Sequence, residues 1–382
     1  MSFTSSFARK SGLTALLALV VLLIAAAYVG QGETSAPAGI GTLTDTGSMH
    51  TPRSGHRATL LPDGRVLITG GFAGQDEDNA LTLTELYDPA QGVFTKTGPL
   101  TTGRQSHSAT RLPDGKVLIV GGYDGTYLAS AELYDPTTGV FTSTGSLAVG
   151  RLAHRATLLA DGKVLITGGS EGNRMFLASA EVYDPATGRF TPAGTMTTER
   201  IGHTQTRLTD GAVLIAGGSV GGRRARRVVA SVERYDPLTG AFSATGTMTT
   251  VRHKHAAVLM EDERVLIVGG SDGSDWRGHY DSAEIFEPDT DAFTEAGRMN
   301  TARFKLRTAV TLLTDGKVLV AGGAETLELY DPEAEGFTTI PGRLDTARFF
   351  STVTLMGDGS VLITGGYDHK IQSTARAWRY RP

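Results

Sequence analysis

A run of Val, Leu and Ile closed by Gly-Gly returns about every 50 residues along the chain. Its copies lie at 66–71, 117–122, 164–169, 213–218, 265–270, 318–323 and 361–366. An unbroken apolar run of this length, bounded by turn residues, predicts a strand buried on both faces. Six of the seven follow an Asp-Gly pair: Asp63-Gly64, Asp114-Gly115, Asp161-Gly162, Asp210-Gly211, Asp315-Gly316 and Asp358-Gly359. Glycine tolerates the positive φ of a tight hairpin, so another strand is expected before each turn, as at 107–112 and 154–159. The fifth copy carries Asp262-Glu263 instead. After each Gly-Gly a variable segment leads to a third strand. That strand ends in Tyr-Asp-Pro in several copies, as at Asp135-Pro136 and Asp184-Pro185, while the fifth copy reads Phe286-Glu287-Pro288. A Pro-x-Thr-Gly turn then leads to a fourth strand, such as 140–143. Each unit reads as four antiparallel strands joined by short turns.

The Gly-Gly strand end, the later Tyr-Asp-Pro and the period together resemble the kelch repeat, over about nine-tenths of the chain. The resemblance implies an all-β, seven-bladed β-propeller of kelch type. Each repeat would make one four-stranded antiparallel blade around a central channel, with the whole domain spanning residues 39–382. The tryptophan usual in the fourth kelch strand is replaced by Phe94, Phe141, Phe190, Phe242, Phe293 and Phe337, which keeps an aromatic at that site. The seventh copy reaches Arg381-Pro382 where its fourth strand would begin. Residues 41–47, Gly-Thr-Leu-Thr-Asp-Thr-Gly, match fourth strands such as 92–98. The N-terminal strand is therefore expected to close the last blade and remove its open edge.

Residues 1–38 stand apart from the repeats. Arg9 and Lys10 precede an uncharged stretch from 11 to 31, with its apolar heart at 13–29. A basic n-region before an apolar run reads as an export signal, cut after Ala27 or Ala38, or as a retained transmembrane anchor at 11–30. Either way the positive flank places the propeller outside the cytoplasm, secreted or periplasmic, or tethered to the membrane by that segment alone.

Composition narrows the chemistry. The chain has 382 residues with Gly 49, as suits a fold of many tight turns, and a net charge of −4, which argues against nucleic acid as a partner. It has no cysteine, hence no disulfide, thiolate metal site or cysteine nucleophile. Kelch-like propellers include copper-radical oxidases such as galactose oxidase. Those need a cysteine cross-linked to a tyrosine, so that chemistry is rejected. No catalytic constellation stands out, no metal or cofactor is expected, and a monomer is expected.

Four antiparallel strands put the Asp-Gly and Pro-x-Thr-Gly turns on one face. The variable loops after Gly-Gly lie on the other, which reads as the recognition face. Blade one offers Asp76, Glu77 and Asp78 there, blade two Tyr123, Asp124 and Tyr127, and blade three Asn173, Arg174 and Phe176. Blade four offers Arg223, Arg224, Arg226 and Arg227, and blade five Asp272, Asp275, Trp276, Arg277, His279 and Tyr280. Blade six is nearly loopless, and blade seven offers Tyr367, Asp368, His369 and Lys370. The arginines suit an oxyanion and the aromatics a sugar ring or peptide side chain, so a ligand is expected over blades three to five.

A further motif, Arg-x-x-His, recurs as Arg53/His56, Arg104/His107, Arg151/His154, Arg200/His203 and Arg252/His255. Copies six and seven keep Arg303 and Arg348 but carry Leu306 and Ser351. The resemblance places these histidines at the channel mouth, where they could hold a metal or an anion. A feature repeated in most blades is more simply architectural, with Glu85, Glu132, Glu181, Glu233, Glu284 and Glu328 available to the arginines. The chain thus reads as an exported binding scaffold for a carbohydrate, peptide or protein. The alternative is a cofactor-independent carbohydrate-active enzyme resembling a periplasmic kelch-type sialic-acid mutarotase.

Overall fold

The computed structural model describes residues 40–74, 79–172, 175–222, 225–274 and 277–382. The segment read as an export signal or anchor lies outside them. Among the described residues there are strands and turns only, and no helix long and apolar enough to cross a membrane.

Each Val/Leu/Ile run forms the second strand of a four-stranded antiparallel sheet, and seven such sheets are present. Blade one comprises Arg57–Leu60, Val66–Thr69, Thr84–Asp88 and Val93–Lys96 in that order. Blades two to six repeat it, with first strands starting at Ser108, Arg155, Thr204, Ala256 and Val310. Neighbouring first strands touch in a closed ring, blade seven returning to blade one. A two-stranded hairpin, Ser219–Val220 with Arg227–Val228, rises from blade four on the side of the variable loops.

The second strands are buried because blades pack face to face. Leu61, Leu67 and Leu86 of blade one, with Leu100 of the linker that follows it, meet Val117, Ile119, Tyr134 and Phe141 of blade two. Burying each such side chain contributes about 1.5–3 kcal/mol. The tyrosine of the third strand packs on the phenylalanine of the fourth, as in Tyr87–Phe94 with ring centroids 4.8 Å apart.

Gly-Gly is required twice over. Gly70 and Gly71 take φ of 58° and 92°. A Cβ on Gly70 would collide with the Arg104 carbonyl of the next blade, and one on Gly71 would lie 2.7 Å from the Ser54 carbonyl. The Gly71 amide donates to the Arg104 carbonyl at 2.9 Å, so the close approach is also a tie between blades. Each Asp-Gly pair sits in a three-residue loop: Leu61 and Arg65 close it, Asp63 accepts from the Arg65 amide at 3.0 Å, and Gly64 holds φ of 85°. In the fifth copy Glu263 takes the same left-handed conformation, φ 69°, which costs a non-glycine residue roughly 1–2 kcal/mol.

The last blade consists of Thr352–Leu355, Val361–Thr364, Ala377–Arg381 and, outermost, Thr42–Asp45. Leu43 stands opposite Tyr380, the place that phenylalanine takes in the other blades. The N-terminal strand thus closes the ring, as its match to the fourth strands predicts.

Candidate functional site

The Arg-x-x-His motif resolves into two structural ties. Arg53, Arg104, Arg151, Arg200, Arg252 and Arg303 are fully buried. Each pairs with the glutamate of the third strand in its own blade at 2.5 to 2.9 Å. The other carboxylate oxygen holds the incoming linker, as when Glu132 accepts from the Thr101 amide at 2.8 Å. Burial pushes these guanidinium groups below their ordinary pKa, and the paired carboxylates pull back. In blade seven Trp378 occupies the glutamate's register position, and Arg348 pairs with Asp345 instead at 2.6 Å.

A prediction follows for this clamp. Glu132→Gln is expected to destabilise by about 3–5 kcal/mol, because the Arg104 charge stays buried without its partner. Denaturant unfolding measures it. Restoration of most of that loss by an added Arg104→Met would show that the unpaired charge, not the glutamate's shape, is responsible.

His56, His107, His154, His203 and His255 do not stand at an open channel mouth. All five are fully buried. Their Nε2 atoms bond hydroxyls of the preceding blade: Thr364, Thr69, Ser108, Thr167 and Thr204, at 2.8 to 3.1 Å. They join blade to blade. Among the described residues no group of three or more His, Asp or Glu is placed to hold a metal ion.

The opening on the axis is built by the two residues between each Arg and His. The second of the pair takes positive φ in all seven blades: Gly55 64°, Ser106 55°, Ala153 54°, Gly202 69°, Lys254 54°, Lys305 61° and Phe350 54°. Amide-to-carbonyl bonds run between these turns, Ser106 to Gly55 and Ala153 to Ser106 at 3.0 Å, and Lys254 to Gly202 at 2.9 Å. Left-handed non-glycine residues are costly, and their concentration in one ring points to a functional surface. They surround a funnel of about 360 Å³. Its cations are Arg226, Lys254 and Lys305, with Arg155 and Arg307 also in the lining; its apolar wall includes Phe72, Tyr127, Phe176 and Phe350. Among the described residues no Asp or Glu lines it. Lys305 donates to the Tyr367 hydroxyl at 2.9 Å, and its ammonium lies 4.9 Å from the Phe304 ring centre.

A second cleft, about 570 Å³, lies over blade six, whose short loop leaves room. His279, His369, Glu325 and Arg343 line it around Phe304 and Phe349. His279 stacks on Phe304 at 5.7 Å.

The predicted ligand residues are thus divided. Arg226 lines the funnel, with Nη2 against the His253 ring at 2.9 Å. His279 belongs to the cleft. Tyr280 lies under the Arg252 guanidinium at 5.6 Å, and Tyr123 packs edge-on to Tyr127 at 5.2 Å. Arg227 and Arg277 are exposed and line neither opening. Arg174, Arg223, Arg224 and Trp276 lie outside the described residues, as do Asp76, Glu77, Asp78, Asn173 and Asp275. The funnel draws on all seven blades rather than on blades three to five. Lys254, Lys305, Arg155 and Arg307 escaped the sequence reading. Their signal was departure from the repeat: Arg57, Arg155 and Arg307 follow the histidine position, where other copies have Ser108, Thr204, Ala256 and Thr352.

The kelch motif model matches residues 106–147 and 151–197, which span blades two and three. No curated protein matches the sequence. Among solved structures the chain is similar to a fungal alcohol oxidase of the AA5 family in complex with copper. The TM-score is 0.74 at 18% identity, covering 90% of this chain and 77% of that one. At that identity the likeness is one of fold. The same fold serves generally as a binding scaffold. With two repeats matched by the motif model and all seven blades built on one plan, the chain is a kelch-repeat β-propeller.

Proposed function

We propose that this propeller is a binding module for an acidic carbohydrate, working outside the cytoplasm and delivered there by residues 1–38. The observation that carries the ligand class is the funnel, where cations stand beside aromatic faces. Guanidinium and ammonium groups attract a sugar's carboxylate or sulfate, and the rings cover its apolar face. Arg9, Lys10 and the apolar run support the location. A glycan array holding neutral, carboxylated and sulfated members, printed beside acidic peptides, tests the reading. Acidic glycans are expected to bind. Lys254→Ala and Arg226→Ala should each weaken them about tenfold or more, as befits a lost charge-assisted bond, while Asp114→Ala on the opposite face leaves binding intact. Preference for neutral glycans or for peptides, or undiminished binding by both funnel variants, would reject it.

The cleft over blade six favours a second reading, the cofactor-independent sugar-converting enzyme. His279, His369 and Glu325 there provide acid and base groups beside Arg343. Accelerated anomer interconversion of an acidic sugar, lost in His279→Ala, would favour it over binding alone.

A further inference from the structure

Three arginines gather at the channel below the funnel, and among the described residues no carboxylate pairs with them. Arg57 is 8% exposed. Its Nη1 donates to the His56 carbonyl at 3.0 Å, while its Nη2 is buried with no partner. Arg155 of blade three donates from Nε to the His203 carbonyl at 2.6 Å and from Nη1 to the Arg307 carbonyl at 3.1 Å. Arg307 of blade six donates from Nη1 to the Ser106 carbonyl at 3.3 Å and from Nη2 to the His154 carbonyl. These bonds carry both side chains across the channel to other blades. Arg155 and Arg307 remain reachable from the funnel they line.

Burial depresses all three guanidinium groups, Arg57 to about 10 and Arg155 to about 9, and neighbouring arginines add to the effect on Arg155 and Arg307. Arginine nonetheless keeps its proton at neutral pH. Three positive charges therefore share one confined space, and their hydrogen bonds among the described residues go to backbone carbonyls. None of the seven first strands, which form the channel wall, contains Asp or Glu. Uncompensated charge in such a setting is costly, and a fork of N–H donors fits an oxyanion's geometry.

From these contacts we infer that Arg57, Arg155 and Arg307 form a buried oxyanion site for sulfate, phosphate or one carboxylate or sulfate group of a larger ligand. The unpartnered Nη2 of Arg57 is its free donor. The site accepts either an inorganic ion or the anionic end of a ligand seated in the funnel, and it stands without the acidic-carbohydrate reading.

The test titrates the full chain with sodium sulfate and with phosphate against chloride at matched ionic strength, by calorimetry and thermal unfolding. Single-site binding is expected, with a Tm that rises and saturates. Arg57→Gln and Arg155→Gln are expected to weaken it at least tenfold, while in chloride their Tm equals or exceeds that of the parent. Should either glutamine variant fail to fold, Arg57→Lys keeps the charge but loses the fork, and is expected to bind more weakly. A parent that shows no saturable site, or variants that bind like the parent, would overturn the site. Where an acidic glycan binds, displacement by sulfate assigns the site to the glycan's end group, and joint binding assigns it to a free ion. A failed glycan array leaves this titration standing.

Discussion

Deleting residues 39–49 is expected to lower the melting temperature by about 10 °C or more and to make the protein prone to aggregate. The strand Thr42–Asp45 is the outer edge of the last blade, and its loss leaves Ala377–Arg381 unpaired. More than a ladder goes with it. Met49 is 3% exposed and packs with Val66, Ile68, Tyr87 and Phe94 of blade one and with Met356 and Leu362 of blade seven. Removing a buried side chain of that kind costs about 2–5 kcal/mol on its own. The Gly47 amide also donates to the Gly92 carbonyl at 2.9 Å, and the Thr46 hydroxyl bonds Tyr87 at 2.8 Å. This segment is therefore the seam between first and last blades, in a ring with no disulfide to hold it. Calorimetry of the truncated chain, with and without an added peptide of residues 40–49, reads the effect. An unchanged melting temperature would refute the closure role, and recovery with the peptide would localise it to this strand.

The frame was legible because each of its parts answers a local demand repeated seven times. Runs such as Val66–Thr69 read as doubly buried strands, and they are. Gly70 and Gly71 read as a strand end, though the reasons for them, the Arg104 carbonyl of the neighbouring blade against Gly70 and the Ser54 carbonyl against Gly71, appear only in three dimensions. The glutamates were rightly matched to the arginines. The histidines' role as bridges between blades was visible as repetition, whereas their burial was not.

The site was legible only in part, for a topological reason. Its residues come from seven dipeptides, about 50 residues apart, that meet only when the ring closes. Loops such as 219–228 attract attention because they are long and charged, yet of that loop's two described arginines Arg226 reaches the funnel and Arg227 does not. Arg155 and Arg307 each look like the first residue of an ordinary strand. Their meaning comes from breaking the repeat at one position in three blades, and from the carbonyl bonds that carry Arg155 and Arg307 across the channel. In a repeat protein the shared residues build the frame, so chemistry peculiar to one molecule is best sought where copies disagree.

Acid will destabilise this propeller with growing steepness as pH falls below 6.5, and the five inter-blade histidines will set the slope. His56, His107, His154, His203 and His255 are held well below the ordinary histidine pKa, first by burial and then by nearby arginines. The Nδ1 atom of each is buried without a partner, so a proton there would be a charge with no acceptor. In the unfolded chain each takes up a proton near pH 6.5. The folded-state value is the lower one, so their contribution is fully present above pH 6.5 and is lost as pH falls toward the folded-state values. Each histidine weakens the fold by about 1.4 kcal/mol per pH unit in that window, and five acting together by about 7 kcal/mol. Denaturant unfolding at half-unit steps from pH 7 to 5 gives the slope directly. His107→Gln, which can still reach the Thr69 hydroxyl, should lower it by about one proton's worth. A stability flat across that range would mean that the histidines protonate in place, and the interfaces between blades would then have to open locally to admit the charge.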